Sequence, residues 1–148
     1  MSTEEPHAKP EVAMLTDPGI VELLKTSRRI AVVGASSNPA RPSFGVFRTL
    51  VAAGYECIPV NPNETQVAGV PAVATLAEAA RSGPIDIVDV FRRPELTPEI
   101  AREAVSIGAR ALWLQLGVVN WESARIAAEA SLAVVMDRCT AIEVRRVS

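Results

Sequence analysis

The residues best suited to hold a ligand follow an apolar run at 30–33: Gly34-Ala35-Ser36-Ser37-Asn38-Pro39-Ala40-Arg41-Pro42-Ser43. Their chemistry is that of a phosphate cradle. Gly34 permits a tight turn and a close backbone approach to an anion. Ser36 and Ser37 bring hydroxyl donors, and Arg41 brings a guanidinium that matches phosphate oxygens. A helix capped by Ser43 presents unpaired N–H groups and the positive end of its dipole. Phe44 opens the apolar face of that helix, and Gly45 leaves room in its first turn. The spacing departs from G-x-G-x-x-G, because Ala35 and Ser36 stand in its middle and the loop is longer. A capped strand-to-helix connection with no ligand carries the same signature.

Three other segments end apolar runs and belong to the same inquiry. Val60-Asn61-Pro62 closes the second run with no carboxylate before Glu64. Nicotinamide dinucleotide folds place an acid there to grip the ribose diol, so that cofactor is disfavoured. Asn61 suits either an adenine or ribose edge or an ordinary turn. Phe91-Arg92-Arg93-Pro94 sets two guanidiniums at a strand end, where they meet phosphates or form a solvated loop. Gln115 interrupts an apolar run before Leu116-Gly117, with Asn120 close by. If buried, its amide needs partners, either structural or on a ligand.

Catalytic groups are sparse. The single histidine, His7, lies in a polar N-terminal stretch, which excludes a Ser-His-Asp triad or a phosphohistidine. Cys57 and Cys139 form no CxxC or Cys/His cluster, so a structural zinc site is disfavoured and both read as reduced thiols. Arg138 beside Cys139 is of the type that lowers a thiol pKa, though a plain thiol is the favoured reading. Asp89 reads as a buried carboxylate bonded to a neighbouring loop. No catalytic residue and no metal ligand is assigned.

These segments must be positioned by the elements around them. Of 148 residues, 49% are hydrophobic and 4% aromatic, with a formal net charge of -2. That balance suits small-residue helices packed on a parallel sheet and gives no polyelectrolyte surface for nucleic acid or membrane. Residues 1–13 read as a flexible tail without the apolar core of a secretory signal, and no run reaches the length of a membrane span. A cytoplasmic location is expected. Residues 14–148 then form one domain.

Apolar runs at 30–33, 55–60, 69–74, 85–91, 110–116 and 132–136 read as strands, the third limited by Pro71 to an edge or a brief pairing. Helices are expected at 20–26 with Asp17 as N-cap, 43–53, 76–81, 97–107 and 121–130, with the chain from Asp137 wandering along an edge. Alternating strands and helices give a doubly wound parallel α/β sheet, Rossmann-like and three-layered. The expected order is 3-2-1-4-5 in chain numbering, which puts the ligand crevice between the strands at 30–33 and 85–91.

The segments 33–43, Ile58-Pro59-Val60-Asn61-Pro62 and Met136-Asp137-Arg138-Cys139 together resemble the small stand-alone CoA-binding proteins of bacteria. Those are similar to the nucleotide-binding N-terminal domain of the succinyl-CoA synthetase α subunit. The resemblance spans roughly residues 20–146 and implies coenzyme A as ligand. It implies that Gly34 to Ser43 hold phosphates, that Val60, Asn61 and Pro62 line the nucleotide, and that Phe91 to Pro94 border it. The synthetase's catalytic histidine belongs to a domain outside this resemblance. The reading is therefore a non-catalytic carrier, sensor or regulatory module for CoA or acyl-CoA. Alternatives are an NAD(P)-linked oxidoreductase, or the CoA-binding subunit of an acyl-CoA ligase completed by a partner. A mixed disulfide between a cysteine and the CoA thiol is a third possibility. Trp113 and Trp121, if exposed, would anchor a homodimer or a protein partner.

Overall fold

A computed structural model describes residues 12–147. Most of the expected tail, His7 included, lies outside the described residues, as does Ser148. Five parallel strands form the central sheet: β1 (Arg29–Val33), β2 (Glu56–Val60), β5 (Ile87–Val90), β6 (Ala111–Leu114) and β7 (Ala133–Val135). Their order is β2-β1-β5-β6-β7. β1, β5 and β6 are buried along their whole length, as continuous apolar runs in a sheet covered on both faces must be.

The two-residue period of the strands divides the core. Ala31, Val33, Val88, Val90, Leu112 and Leu114 face one side. There they meet α3 (Leu76–Ala80), α4 (Thr97–Ser106) and α5 (Trp121–Glu129). Alanines dominate this contact: Ala101 and Ala104 from α4, Ala124 and Ala127 from α5. A buried bond of 2.7 Å between the hydroxyls of Thr97 and Ser123 joins those two helices. Ile30, Val32, Ile87 and Trp113 face the other side. They meet α1 (Asp17–Thr26), α2 (Pro42–Ala52) and α6 (Thr140–Val147).

Several expectations are corrected. Asp17 lies inside α1, and Thr16 stands at the cap position. Ser43 is not the N-cap of α2: Arg41 is, because Pro42, lacking an N–H, takes the first helical position. The segment 69–74 is not a strand of the main sheet. Val70–Pro71 (β4) pairs antiparallel with Gln66–Val67 (β3), a strand the sequence reading missed. Val73 then makes a single parallel bridge to Val60. Pro71 cannot donate to a ladder, which keeps the pairing short. The sheet therefore runs 2-1-4-5-6 in the numbering of the expected strands, with the switch point where it was anticipated. The chain after Asp137 does not wander but forms α6, with Ala141 and Val144 buried. Trp113 is fully buried, and its indole N–H donates to the Arg138 carbonyl at 2.8 Å. It is a core residue and not an interface anchor. Among the described residues no helix is long and apolar enough to cross a membrane.

Candidate ligand-binding site

The loops after β1, β2, β5, β6 and β7 converge at the carboxyl ends of the strands, where open α/β sheets bind ligands. Gly34 carries the tightest constraint. Its φ is 84°, and a Cβ there would lie 2.6 Å from the Phe91 carbonyl oxygen and 2.9 Å from Arg92 Cδ. Only glycine satisfies both the turn and this approach of the β1 and β5 loops.

The rest of the loop is bonded to itself. The Ser36 N–H donates to Ser43 Oγ at 3.1 Å, so Ser43 pins the loop to α2 rather than capping the helix. The Asn38 N–H donates to Ser36 Oγ, and the Ala40 N–H to Asn38 Oδ1. Asn61 ties the β2 loop to it: Nδ2 donates to the Ala35 carbonyl at 2.9 Å while Oδ1 accepts the Asn63 N–H. Asn61 is thus both a turn residue and a brace. Ser37 is engaged elsewhere, with its N–H and hydroxyl both on the Glu64 carboxylate. Those two bonds hold Glu64 below the usual carboxylate range.

A groove of about 810 Å³ opens over these loops. Of the residues singled out from sequence, Gly34, Ser36, Arg41, Pro42, Ser43, Asn61, Phe91, Arg92, Arg93, Pro94 and Gln115 line it. Others stand off it. Ala35 is in the core and Gly45 faces open space. Ser37, Asn38 and Phe44 do not reach the lining, while Val60 and Pro62 border a smaller cavity of about 230 Å³. The Gly117 N–H donates to Asp137 Oδ1. Asn120 caps α5 by accepting the Ser123 N–H, and its Nδ2 donates to the Pro94 carbonyl.

Val46, Asn63, Leu116, Val118, Cys139 and Ile142, none of them assigned to the site from sequence, complete the lining. Apart from Val46 and Asn63 these lie at the β6 and β7 end. Leu116 is 66% exposed and Ile142 is 42% exposed. The groove is therefore polarised. Arg41, Arg92 and Arg93 serve the β1 and β5 loops, and aliphatic side chains serve the β6 and β7 loops. Arg93 has an exposed ion pair with Glu95 at 3.4 Å, whereas Arg41 and Arg92 pair with no carboxylate among the described residues. A molecule carrying phosphate at one end and a neutral arm at the other matches this layout.

Beneath the groove, Asp89 is fully buried in β5. Gln115 Nε2 donates to its Oδ1, and the Thr140 hydroxyl donates to its Oδ2 at 2.9 Å. Burial pushes the Asp89 carboxyl up to about 7, against the pull of these two bonds. Burial, then Asp89 and Glu56, push the Cys57 thiol up to about 12. Cys139 is partly exposed on the groove wall. Arg138 does not serve it, since that guanidinium is held by Asp17 at 2.8 Å and Glu143 at 3.4 Å.

A second cavity, of about 840 Å³, lies at the opposite ends of the strands. Several of its polar groups satisfy each other. Arg29 is bonded to Glu56, Ser82 and the Pro84 carbonyl, and Asp86 accepts the Arg28 and Arg29 N–H groups. Lys25, Arg28 and Arg145 also line it.

The sequence model of the CoA binding domain matches residues 28–145. The chain belongs to the CoA binding domain family. The match begins just before β1 and ends within α6, so it covers every loop of the groove. YneT of Bacillus subtilis (strain 168) is 47% identical over 120 residues, covering 81% of this chain and 87% of that one. A protein of known structure from Pyrococcus horikoshii OT3 is 34% identical with a TM-score of 0.85, covering 99% of each chain. The fold of this CoA-binding domain also occurs within a larger enzyme. The dinucleotide-forming acetyl-coenzyme A synthetase 1 of Ca. Korarchaeum cryptofilum superposes with a TM-score of 0.65 at 18% identity, over 77% of this chain and 27% of that one. At that identity the likeness is one of fold.

Proposed function

We propose that the groove binds coenzyme A or an acyl-CoA and that the protein acts as a non-catalytic carrier, sensor or regulatory module. The observation that carries this reading is the polarity of the groove in a chain of the CoA binding domain family. Phosphates sit against Arg41, Arg92 and the N-terminal turn of α2, where guanidiniums and helix N–H groups favour anions. The nucleotide extends toward Asn61 and Asn63. The arm runs over Gln115 to Leu116, Val118 and Ile142. The described lining holds three arginines and one thiol as its ionisable groups, a set that binds anions better than it moves protons. Isothermal titration with CoA, acetyl-CoA, NAD and NADP tests the reading. Binding of the CoA species with little heat from NAD or NADP is expected. Clear NADP binding without CoA binding overturns it.

The occurrence of this fold inside a larger synthetase favours a second reading, a CoA-holding subunit completed by a partner. Recovery of a stoichiometric ligase subunit with the native protein supports it, and recovery of the chain alone counts against it.

A further inference from the structure

We infer that the side-chain carbonyl of Gln115 accepts a hydrogen bond from an amide N–H on the arm of the bound ligand, and that Asp89 and Thr140 are positioning residues for it. The inference rests on the CoA reading and adds to it the atom that distinguishes the arm.

Gln115 follows β6, is only 4% exposed and lines the groove between its cationic and aliphatic ends. Its amide belongs to a closed ring of three hydrogen bonds. Nε2 donates to Asp89 Oδ1 and, at 2.9 Å, to Thr140 Oγ1, and that hydroxyl donates to Asp89 Oδ2. Both amide hydrogens are thereby spent. Oε1 accepts no bond among the described residues. Above a pH of about 7, where Asp89 is ionised, turning the amide over would press Oε1 against a carboxylate and orphan the nitrogen, so the amide has one orientation. The free acceptor is not sealed from solvent, and the open space that Gln115 borders is the groove.

Packing alone does not call for this arrangement. A buried carboxylate costs the fold, and apolar residues of similar volume would fill the space at least as well. Asp89 occupies a central strand and its bonds go to the two side chains that fix the amide. The ligand group that answers a lone carbonyl acceptor open to the groove is an N–H donor. The pantetheine arm of CoA carries two secondary amides. β1 and β6 are two strand spacings apart in the sheet, or about 10 Å, which sets Gln115 along the arm and away from the phosphates at the Gly34 loop.

The test, at pH 8 where Asp89 is ionised, compares CoA with adenosine 3′,5′-bisphosphate, which shares the nucleotide and lacks the arm, on the full chain. Gln115→Met keeps the volume and removes the acceptor. It is expected to weaken CoA about tenfold and to leave the bisphosphate within about twofold. Asp89→Asn, which frees the amide to turn, is expected to weaken CoA selectively and by less. Unchanged CoA affinity in Gln115→Met, or equal loss of both ligands, overturns the inference. Should either variant fail to fold, the unmodified protein is titrated with CoA analogues in which each arm N–H is replaced in turn by an ester oxygen. One analogue is expected to lose about tenfold, and equal affinity for both and for CoA overturns the inference. If the wild type binds neither CoA nor the bisphosphate, the CoA reading itself fails, an outcome distinct from these.

Discussion

Ser37 gives both its backbone N–H and its hydroxyl to the Glu64 carboxylate, at 2.6 and 2.8 Å. With the Asn61–Ala35 bond, this contact clasps the β2 loop to the β1 loop. Two of the donors that the sequence offers a phosphate are therefore already spent on an internal anion. The cradle that remains is Ser36, Ser43, Arg41 and the first turn of α2.

Breaking this clasp has a local signature. Glu64→Ala leaves the Ser37 amide without its acceptor, so hydrogen exchange of the segment 36–38 should quicken by at least several-fold. Because the pair is exposed, the melting temperature should hardly change. Unchanged exchange at Ser37 would show that the loop does not depend on Glu64. Protonation acts in the same direction. Glu64 is held below the usual range, so the clasp persists at neutral pH and loosens only in acid as pH falls through that depressed value.

Glycines 34 and 117 share a φ of 84° but not an environment. A Cβ at Gly117 meets nothing within 4 Å, whereas at Gly34 it strikes the Phe91 carbonyl. Gly117→Ala should cost only the left-handed backbone strain, about 1 kcal/mol. Gly34→Ala should cost about 2–4 kcal/mol, because clash adds to strain and the β1 and β5 loops must part. Urea denaturation of the two variants ranks them, and equal losses would remove the close-approach argument.

Asp89 gives the stability a pH dependence of unusual sign. The folded chain keeps its proton up to about 7, whereas the unfolded chain releases it near 4. Between those values the folded state binds more protons, so this residue's contribution declines as pH rises from about 4 to about 7 and is level on either side. Asp89→Asn should flatten that slope. Denaturation midpoints of wild type and variant at pH 5 and pH 8 give the comparison. The variant should gain on the wild type at the higher pH, and a constant difference between them would contradict the assignment.

The parts of this molecule legible from sequence are those where one element contains its own signal. The run at 30–33 closed by Gly34 reads as a buried strand and a tight turn, and the absence of an acid after Val60 is local too. Pro42 carried the start of α2 more reliably than Ser43 did, since proline at a first helical position is a backbone constraint and serine is a general preference. The β3–β4 hairpin was hidden by its two-residue strands. α6 was hidden because eight residues with three charges look like a tail until α1 and α2 supply its apolar partner surface. The aliphatic end of the groove was least legible. Leu116 and Val118 follow β6 whereas Ile142 lies in α6 after β7, and only the β6–β7 pairing brings the two segments together.

The two cysteines should separate cleanly in reactivity. Thiolate attack needs both ionisation and access. Cys57 is buried with its thiol pushed up to about 12, so at pH 8 it is almost wholly protonated. Cys139 is partly exposed on the groove wall near Ile142. Iodoacetamide on the native protein should alkylate Cys139 alone, as read by intact mass and peptide mapping. Denaturation should then expose Cys57 to a second equivalent. Because Cys139 borders the aliphatic end of the groove, where the proposed binding mode puts the arm, saturating CoA should slow its alkylation by at least several-fold, whereas adenosine 3′,5′-bisphosphate, which lacks the arm, should protect it little. Equal protection by the two ligands would place the arm elsewhere, and no protection by bound CoA would remove the β6–β7 end from the site.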